Sequence, residues 1–323
     1  MLLEIKNLNV QFETDGKILP VVEDLSLALE RGQVLGLVGE SGCGKTVTAM
    51  SIPRLLPMPP ARITQGNILF DGVDLLKVPI AELRQLRGAK IGMIFQDPMT
   101  SLSPLHRIEK QMTEVVRLHQ NISKASARRM ALEWLERVGI PDVTQRAQAY
   151  PHELSGGMQQ RIMIAMGLML EPDFIIADEP TTALDVTIQA QILLLLRKLH
   201  RQQAGLLLIT HDMGVVSQMA THVAVMYAGQ IVEYTDAQSF FHQPQHPYSR
   251  ALLDAMPSLA TRGQRLKAIP GQVPLAGQMP SGCRFHERCP LAQASCAQIV
   301  PELTYCGDSW VRCPIVSHTP INT

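Results

Sequence analysis

The chain has 323 residues, a length that suits one large domain carrying an appendage. Lysine plus arginine and aspartate plus glutamate both total 29, so the formal charge is zero and no basic footprint for nucleic acid is present. Hydrophobic residues make up 46%, ordinary for a globular protein, and the longest apolar runs, near residues 162–170 and 192–196, fall far short of the ~20 residues of a membrane helix. The opening Met1-Leu2-Leu3-Glu4-Ile5-Lys6 lacks the basic-then-apolar pattern of a signal peptide, so a cytosolic chain is expected, with any membrane role reached through partners.

Residues 3–8 and 21–29 alternate as strands do, and Glu30-Arg31-Gly32-Gln33 reads as a turn. Val34-Leu35-Gly36-Leu37-Val38 is a continuous apolar run, the pattern of a strand buried on both faces. Residues 47–56 are expected to form a helix, stopped by Pro57-Met58-Pro59-Pro60. Short strands follow at 66–70 and 91–95, joined by Asp71-Gly72 turn chemistry and a charged segment over 81–90. From residue 98 to Gly139 the pattern turns helical, with Leu132, Leu135 and Val138 on one helix face and Gly139 as its stop. Strands at 174–178, 206–210 and 223–227 and a helix over 186–201 resume an α/β core, so the helical stretch reads as an insert. A third region begins near residue 240, rich in Pro, Gly and Cys and without long periodicity.

The chemistry starts at Gly39-Glu40-Ser41-Gly42-Cys43-Gly44-Lys45-Thr46, which fits G-x-x-x-x-G-K-[ST] between an apolar strand and a helix. Its glycines let successive N–H groups turn toward phosphate oxygens, while Lys45 would meet the β- and γ-phosphates and Thr46 would ligate Mg²⁺. Cys43 reads as a small filler, although a helix start nearby could lower its pKa. Asp178 closes an apolar strand, where a carboxylate can hold Mg²⁺ through its water shell. Glu179, next to it, is the natural general base for an attacking water. Between loop and strand lies Leu154-Ser155-Gly156-Gly157-Met158.

In this order the motifs resemble those of the ATP-binding-cassette (ABC) ATPases, over residues 1–240. The resemblance implies an α/β fold: a P-loop ABC ATPase core with an antiparallel β subdomain and a helical subdomain over about residues 98–170. It implies that Phe12 stacks on adenine, and that Gln96 senses Mg²⁺ and the attacking water. Ser155, Gly156 and Gly157 would cap the γ-phosphate of an ATP held by a facing subunit. Asp185, in Thr182-Ala183-Leu184-Asp185, would lie in the loop crossing that dimer interface, and His211 would contact the γ-phosphate and orient Glu179. Met158 stands where Gln is commoner, a variant familiar in peptide-type importers.

Two further segments narrow the resemblance to the dipeptide/oligopeptide/nickel importer group. They are Gln96-Asp97-Pro98-Met99-Thr100-Ser101-Leu102-Ser103-Pro104 and Gln245-His246-Pro247-Tyr248-Ser249-Arg250-Ala251-Leu252-Leu253, the second opening that group's C-terminal extension, here residues 241–323. Five cysteines crowd into this tail, at 283, 289, 296, 306 and 313. In a long cytosolic chain such a cluster points to metal or cluster binding rather than disulfides. The C-x₂₋₄-C knuckles of structural zinc sites are absent, and Cys289-Pro290 and Cys313-Pro314 share the Cys-Pro of ferredoxin runs at different spacings. A similar tail in the group's peptide importers implies Cys283, Cys289, Cys296 and Cys313 as ligands of a structural [4Fe–4S] cluster, with Cys306 spare; zinc and unligated thiols stay open.

The function expected is ATP hydrolysis powering import of dipeptides or oligopeptides, with nickel or a metal chelate as the alternative cargo. The partners implied are a second, homologous ATPase subunit forming a heterodimer, two transmembrane permease chains and an extracytoplasmic substrate-binding protein, with no nucleic acid. The location implied is the cytoplasmic face of a bacterial inner membrane. Translation-type ABC proteins carry two cassettes and repair-type ones insert long coiled coils, and neither pattern occurs here.

Overall fold

A computed structural model describes residues 1–97, 101–181, 186–200, 204–256 and 268–316. The contacts divide the chain into two units, one of residues 1–29, 34–76 and 210–323 and one of residues 30–33 and 77–209.

In the first unit, β1 (Leu3–Thr14) and β2 (Lys17–Leu29) form a long antiparallel hairpin. Asp15 (φ 52°) and Gly16 (φ 73°) supply the two left-handed residues that a tight hairpin turn needs. The hairpin carries both strands well past the six and nine residues expected from alternation. β4 (Ala61–Phe70) adds to β1, and β5 (Val73–Asp74) to β4, giving a four-stranded antiparallel sheet in the order β2-β1-β4-β5. A second set of strands begins with β3 (Val34–Val38), buried at every residue, as its apolar run predicts. It pairs in parallel with β9 (His222–Tyr227), which turns through Ala228-Gly229 into antiparallel β10 (Gln230–Asp236). β10 then pairs with β12 (Ser309–Val311), and β12 with β11 (Thr304–Cys306). The last two strands come from the cysteine-rich tail, so that tail extends, beyond β9 and β10, the sheet that contains the phosphate loop's own strand. A core that includes Val38, Val225, Tyr227, Phe240, Tyr248, Phe285, Cys283 and Cys296 joins these strands to the extension. The Tyr227 ring lies edge-on to Tyr248 at 4.7 Å and to Phe285 at 5.2 Å.

The helix after the phosphate loop is shorter than the one expected over 47–56. It spans Lys45–Ser51, with Pro53 just beyond it, and Arg54, at φ 53°, breaks the helical path before Pro57-Met58-Pro59-Pro60 is reached.

In the second unit, β6 (Ile91–Ile94), β7 (Phe174–Asp178) and β8 (Gly205–Ile209) are parallel neighbours in that order. Helices Ile108–His119, Lys124–Arg137, Val143–Ala147 and Gly156–Leu168 form the helical part. Ser123 caps the second of these by accepting from the Ser126 N–H. Gly139, at φ 72°, ends it as expected, with its N–H on the Glu136 carbonyl and that of Ile140 on Leu135. Its buried face is Ala127, Ala131, Trp134 and Leu135, continued by Val138; Leu132 is only half-buried. The helix Gly156–Leu168 packs against β6 through glycine on both sides. A Cβ on Gly167 would sit 2.9 Å from the Met93 carbonyl oxygen, and one on Gly92 would meet the Gly167 carbonyl. That close approach lays the Ser155-Gly156-Gly157 turn on a helix braced by the strand leading to Gln96.

Candidate nucleotide site

The phosphate loop leaves β3 with Gly39 at φ 152°, Gly42 at 80° and Gly44 at 107°. A Cβ on Gly39 would run into the Met226 carbonyl, and one on Gly44 would lie 2.7 Å from the Met226 methyl, so the loop fits against β9 only as glycine. Lys45 is 7% exposed and its Nζ donates to the carbonyls of Gly39 (2.7 Å) and Glu40 (2.9 Å). The ammonium is thus held on the inside of the loop by the loop's own backbone. Ser41, Gly42 and Thr46 face solvent, where phosphate oxygens would arrive. Cys43 is buried, and burial, outweighing the nearby Lys45, raises its pKa. The expectation that a helix start could lower it is therefore corrected, and the filler reading fits.

Phe12, half-buried on β1 between Leu19 of β2 and Ala61 of β4, belongs to the same unit as the loop. So does His211, which is exposed beside the helix Met213–Met219. Asp212 caps that helix by accepting from the N–H groups of Gly214 (2.8 Å) and Val215 (3.2 Å), and its own N–H donates to Thr210 Oγ1. This fixes the turn from which His211 projects.

In the second unit, Asp178 is 2% exposed at the end of β7, and Glu179 follows at φ 46°. A left-handed glutamate is uncommon and strained, a feature that concentrates where function demands an orientation. The turn is pinned on both sides: the Glu179 N–H donates to the Ile209 carbonyl, and buried Gln160 donates to the Pro180 carbonyl at 2.6 Å. Gln96 Nε2 donates to Glu179 Oε2 at 3.1 Å, so two residues 83 apart in sequence meet. Ser155 caps the helix Gly156–Leu168, accepting from the Met158 N–H at 3.4 Å, and Ser155 and Gly156 are exposed. A Cβ on Gly156 would touch nothing within 4 Å, so this chain's own packing gives no reason for glycine there. Asp185 lies outside the described residues, as do residues 182–184 and 98–100.

The cysteines of the tail form no disulfide among the described residues. Cys283, Cys296 and Cys313 are buried and Cys289 half-buried. Burial first, and then the neighbouring thiols of Cys313, Cys296 and Cys289, push the Cys283 thiol up to about 11. Cys306 lies on β11, its sulfur near the Thr304 hydroxyl. Among the described residues, no three His, Cys, Asp or Glu side chains are placed to hold a metal ion.

Two contacts were invisible to sequence reasoning. Arg288, next to Cys289, forms a two-pronged ion pair with Glu40 of the phosphate loop, and the Tyr248 hydroxyl accepts from the Glu40 N–H. They join residues 248 and 208 apart, and no local pattern signals either.

Strand, phosphate loop and helix, with an acidic strand end contacted by a glutamine and a serine-capped glycine turn, define a P-loop ABC ATPase fold. The solved ATP-binding cassette MJ0796, a dimer in a post-hydrolysis state bound to ADP and Pi, matches with a TM-score of 0.66 at 26% identity, covering 73% of this chain and 98% of that one. Residues 22–182 match the ABC transporter family, and residues 232–296 match the oligopeptide/dipeptide transporter C-terminal region. The dipeptide transport ATP-binding protein DppD of Bacillus subtilis (strain 168) is 48% identical over 308 residues, covering 95% of this chain and 92% of its own. The oligopeptide transport ATP-binding protein OppD of the same organism is 49% identical over 286 residues, 88% and 80% of the two chains. The chain belongs to the ABC transporter ATPases that carry the oligopeptide/dipeptide transporter C-terminal region. Among the described residues no helix is long and apolar enough to cross a membrane.

Proposed function

We propose that this chain is the ATP-hydrolysing subunit of an importer of dipeptides or oligopeptides. The cargo is carried by one observation: near-full-length similarity, through the C-terminal extension, to proteins named for dipeptide and oligopeptide transport. Residues 1–240 act as the nucleotide-binding domain, with a helical subdomain over about 98–170, and residues 241–323 as the extension. The ATPase works as a dimer with a homologous subunit, against two permease chains at the cytoplasmic face of the inner membrane. A substrate-binding protein on the other side delivers the peptide.

In this reading Phe12 stacks on adenine, the N–H groups of residues 39–46 cradle the phosphates, and Lys45 leaves its loop carbonyls for the β- and γ-phosphates. The hydroxyl of Thr46 and the carboxylate of Asp178 are hard oxygen donors of the kind Mg²⁺ takes, with Gln96 beside them in role; the ion would neutralise charge on the phosphates. Glu179 takes a proton from the attacking water while Gln96 holds its carboxylate in place, and His211 orients the base and contacts the γ-phosphate. Ser155, Gly156 and Gly157 serve the ATP of the facing subunit, and Asp185 lies at that interface. Loss of the γ-phosphate removes the contacts that bridge the two subunits, and their separation drives the permease chains.

The cysteines at 283, 289, 296 and 313 suit a structural [4Fe–4S] cluster in chemistry: four thiols engaged in no disulfide, three of them buried, with Cys313, Cys296 and Cys289 near enough to Cys283 to raise its pKa.

Uptake tests the cargo. A strain lacking this chain should lose import of labelled dipeptides or longer peptides, and the chain supplied in trans should restore it. Unchanged peptide uptake with lost nickel uptake would overturn the peptide assignment.

A further inference from the structure

Glu40 is the one acidic residue of the phosphate loop, and a free carboxylate there would oppose an arriving triphosphate. It is not free. Arg288 Nη1 lies 2.8 Å from Glu40 Oε2 and Nη2 lies 3.0 Å from Oε1, a bidentate pair of the strong kind. The Arg288 side chain is only 6% exposed, and its Nε donates to the Pro270 carbonyl at 2.7 Å while Nη1 also reaches the Tyr227 hydroxyl. The guanidinium is therefore fixed before it meets Glu40. On the main chain, the Glu40 N–H donates to the buried Tyr248 hydroxyl at 2.9 Å. The Glu40 carbonyl in turn accepts from Lys45 Nζ. One loop residue is thus gripped at its carboxylate and its N–H by the extension, and at its carbonyl by the lysine that would bind phosphate.

We propose that Arg288 and Tyr248 are positioning residues for nucleotide binding, through which the C-terminal extension sets the affinity of the phosphate loop for ATP. The proposal rests on reading residues 39–46 as that loop. Arg288 cancels the charge that would repel the triphosphate, and Tyr248 fixes the backbone at the point where the loop's N–H groups begin to turn inward. Neither residue touches the reacting atoms, so their loss weakens binding of substrate and transition state alike.

The full chain is titrated with ATPγS and Mg²⁺, and steady-state ATPase is measured in the assembled transporter. Arg288→Gln and Tyr248→Phe should each weaken ATPγS binding, the first by roughly 5- to 50-fold, raising KM for ATP while kcat stays within about threefold. The variant Glu40→Gln/Arg288→Gln should bind more tightly than Arg288→Gln alone, because no unpaired carboxylate is left in the loop. A merely structural defect of the extension would not be relieved by changing Glu40. Binding within about twofold of the unmodified chain for both single variants, or no recovery in the double variant, overturns the proposal. Lys45→Ala separates the two levels: if it binds ATPγS as well as the unmodified chain, the phosphate-loop reading itself fails.

Discussion

Gln96 and Glu179 meet through a single hydrogen bond, Nε2 to Oε2 at 3.1 Å, although they sit at the ends of different strands. The bond gives the Glu179 carboxylate one fixed direction, and the φ of 46° at Glu179 adds a second constraint from the backbone. Replacing Glu179 by Gln keeps shape and hydrogen bonding and removes the carboxylate proposed to accept the proton. Expected is a fall in ATPase rate of about 10²–10⁴-fold with ATP binding retained, measured as phosphate release beside nucleotide titration. Hydrolysis at the unmodified rate would remove Glu179 as the base.

Gln96→Ala deletes the donor without touching Glu179, the proposed base. The carboxylate then loses its orientation, so kcat should drop by roughly tenfold or more while KM for ATP moves less. Equal kcat in the variant would show that the contact holds structure and not chemistry.

Gly156 offers a cleaner separation of fold from function. A methyl group at this position meets nothing within 4 Å, and alanine suits a helix better than glycine by roughly 0.5–1 kcal/mol in an interior position. Gly156→Ala should therefore leave the thermal midpoint of the isolated chain unchanged or slightly raised. If the turn closes over an ATP held by the facing subunit, the same methyl lowers ATPase activity in the assembled dimer. Stability and activity moving together would contradict that role.

How much of this was legible in sequence depended on how local the cause was. Residues 34–38 and 174–178 declare themselves because strands buried on both faces must be apolar throughout, and both appear with those bounds. Gly139 stops its helix for an equally local reason, a left-handed φ that glycine adopts freely. The long β1–β2 hairpin also had a local signal, Asp15-Gly16, which alternation alone overlooks. Strands β10, β11 and β12 had none: β11 and β12 have three residues each, and their pairing depends on partners such as Glu233 and Val311. The phosphate loop could be read from its spacing, but its dependence on Arg288 could not. An ion pair spanning 248 residues is created by the packing of Tyr227, Tyr248 and Phe285 and leaves no trace in either neighbourhood.

The cysteine set makes an analytical prediction. Protein prepared without oxygen should contain about four iron and four acid-labile sulfide per chain, with the broad visible absorption of such clusters. Cys306→Ser should keep them, since the proposed ligand set leaves Cys306, on β11, spare, and Cys296→Ser should lose them. Anaerobic protein free of iron and sulfide would end the cluster assignment; colourless protein prepared in air would not, because exposure can strip iron.

The extension should also make stability depend on pH through His246. This side chain is 1% exposed; its Nδ1 accepts from the Tyr248 N–H at 3.0 Å, and the Arg312 main chain hydrogen-bonds to the ring. Burial, helped by the charge of Arg250, lowers its pKa to about 3, so the folded ring stays neutral where an unfolded histidine would take up a proton. The unfolded chain then binds more protons between the two values, and stability rises with pH across that interval. The contribution is complete above the ordinary histidine value of about 6.5 and is lost progressively as pH falls toward 3. Glu233 works in the opposite sense. Its carboxylate accepts from the N–H groups of Gln245 and His246, and burial raises its pKa, so its contribution is present at low pH and fades as pH rises through the raised value. The Phe285 ring, 6.0 Å from the imidazole, adds no charge. His246→Asn keeps an acceptor for the Tyr248 N–H and removes the titrating group. Its thermal midpoint should therefore fall less than that of the unmodified chain between about pH 7 and about pH 5, by scanning calorimetry in matched buffers. Parallel falls in the two proteins would mean that His246 does not stay neutral in the fold.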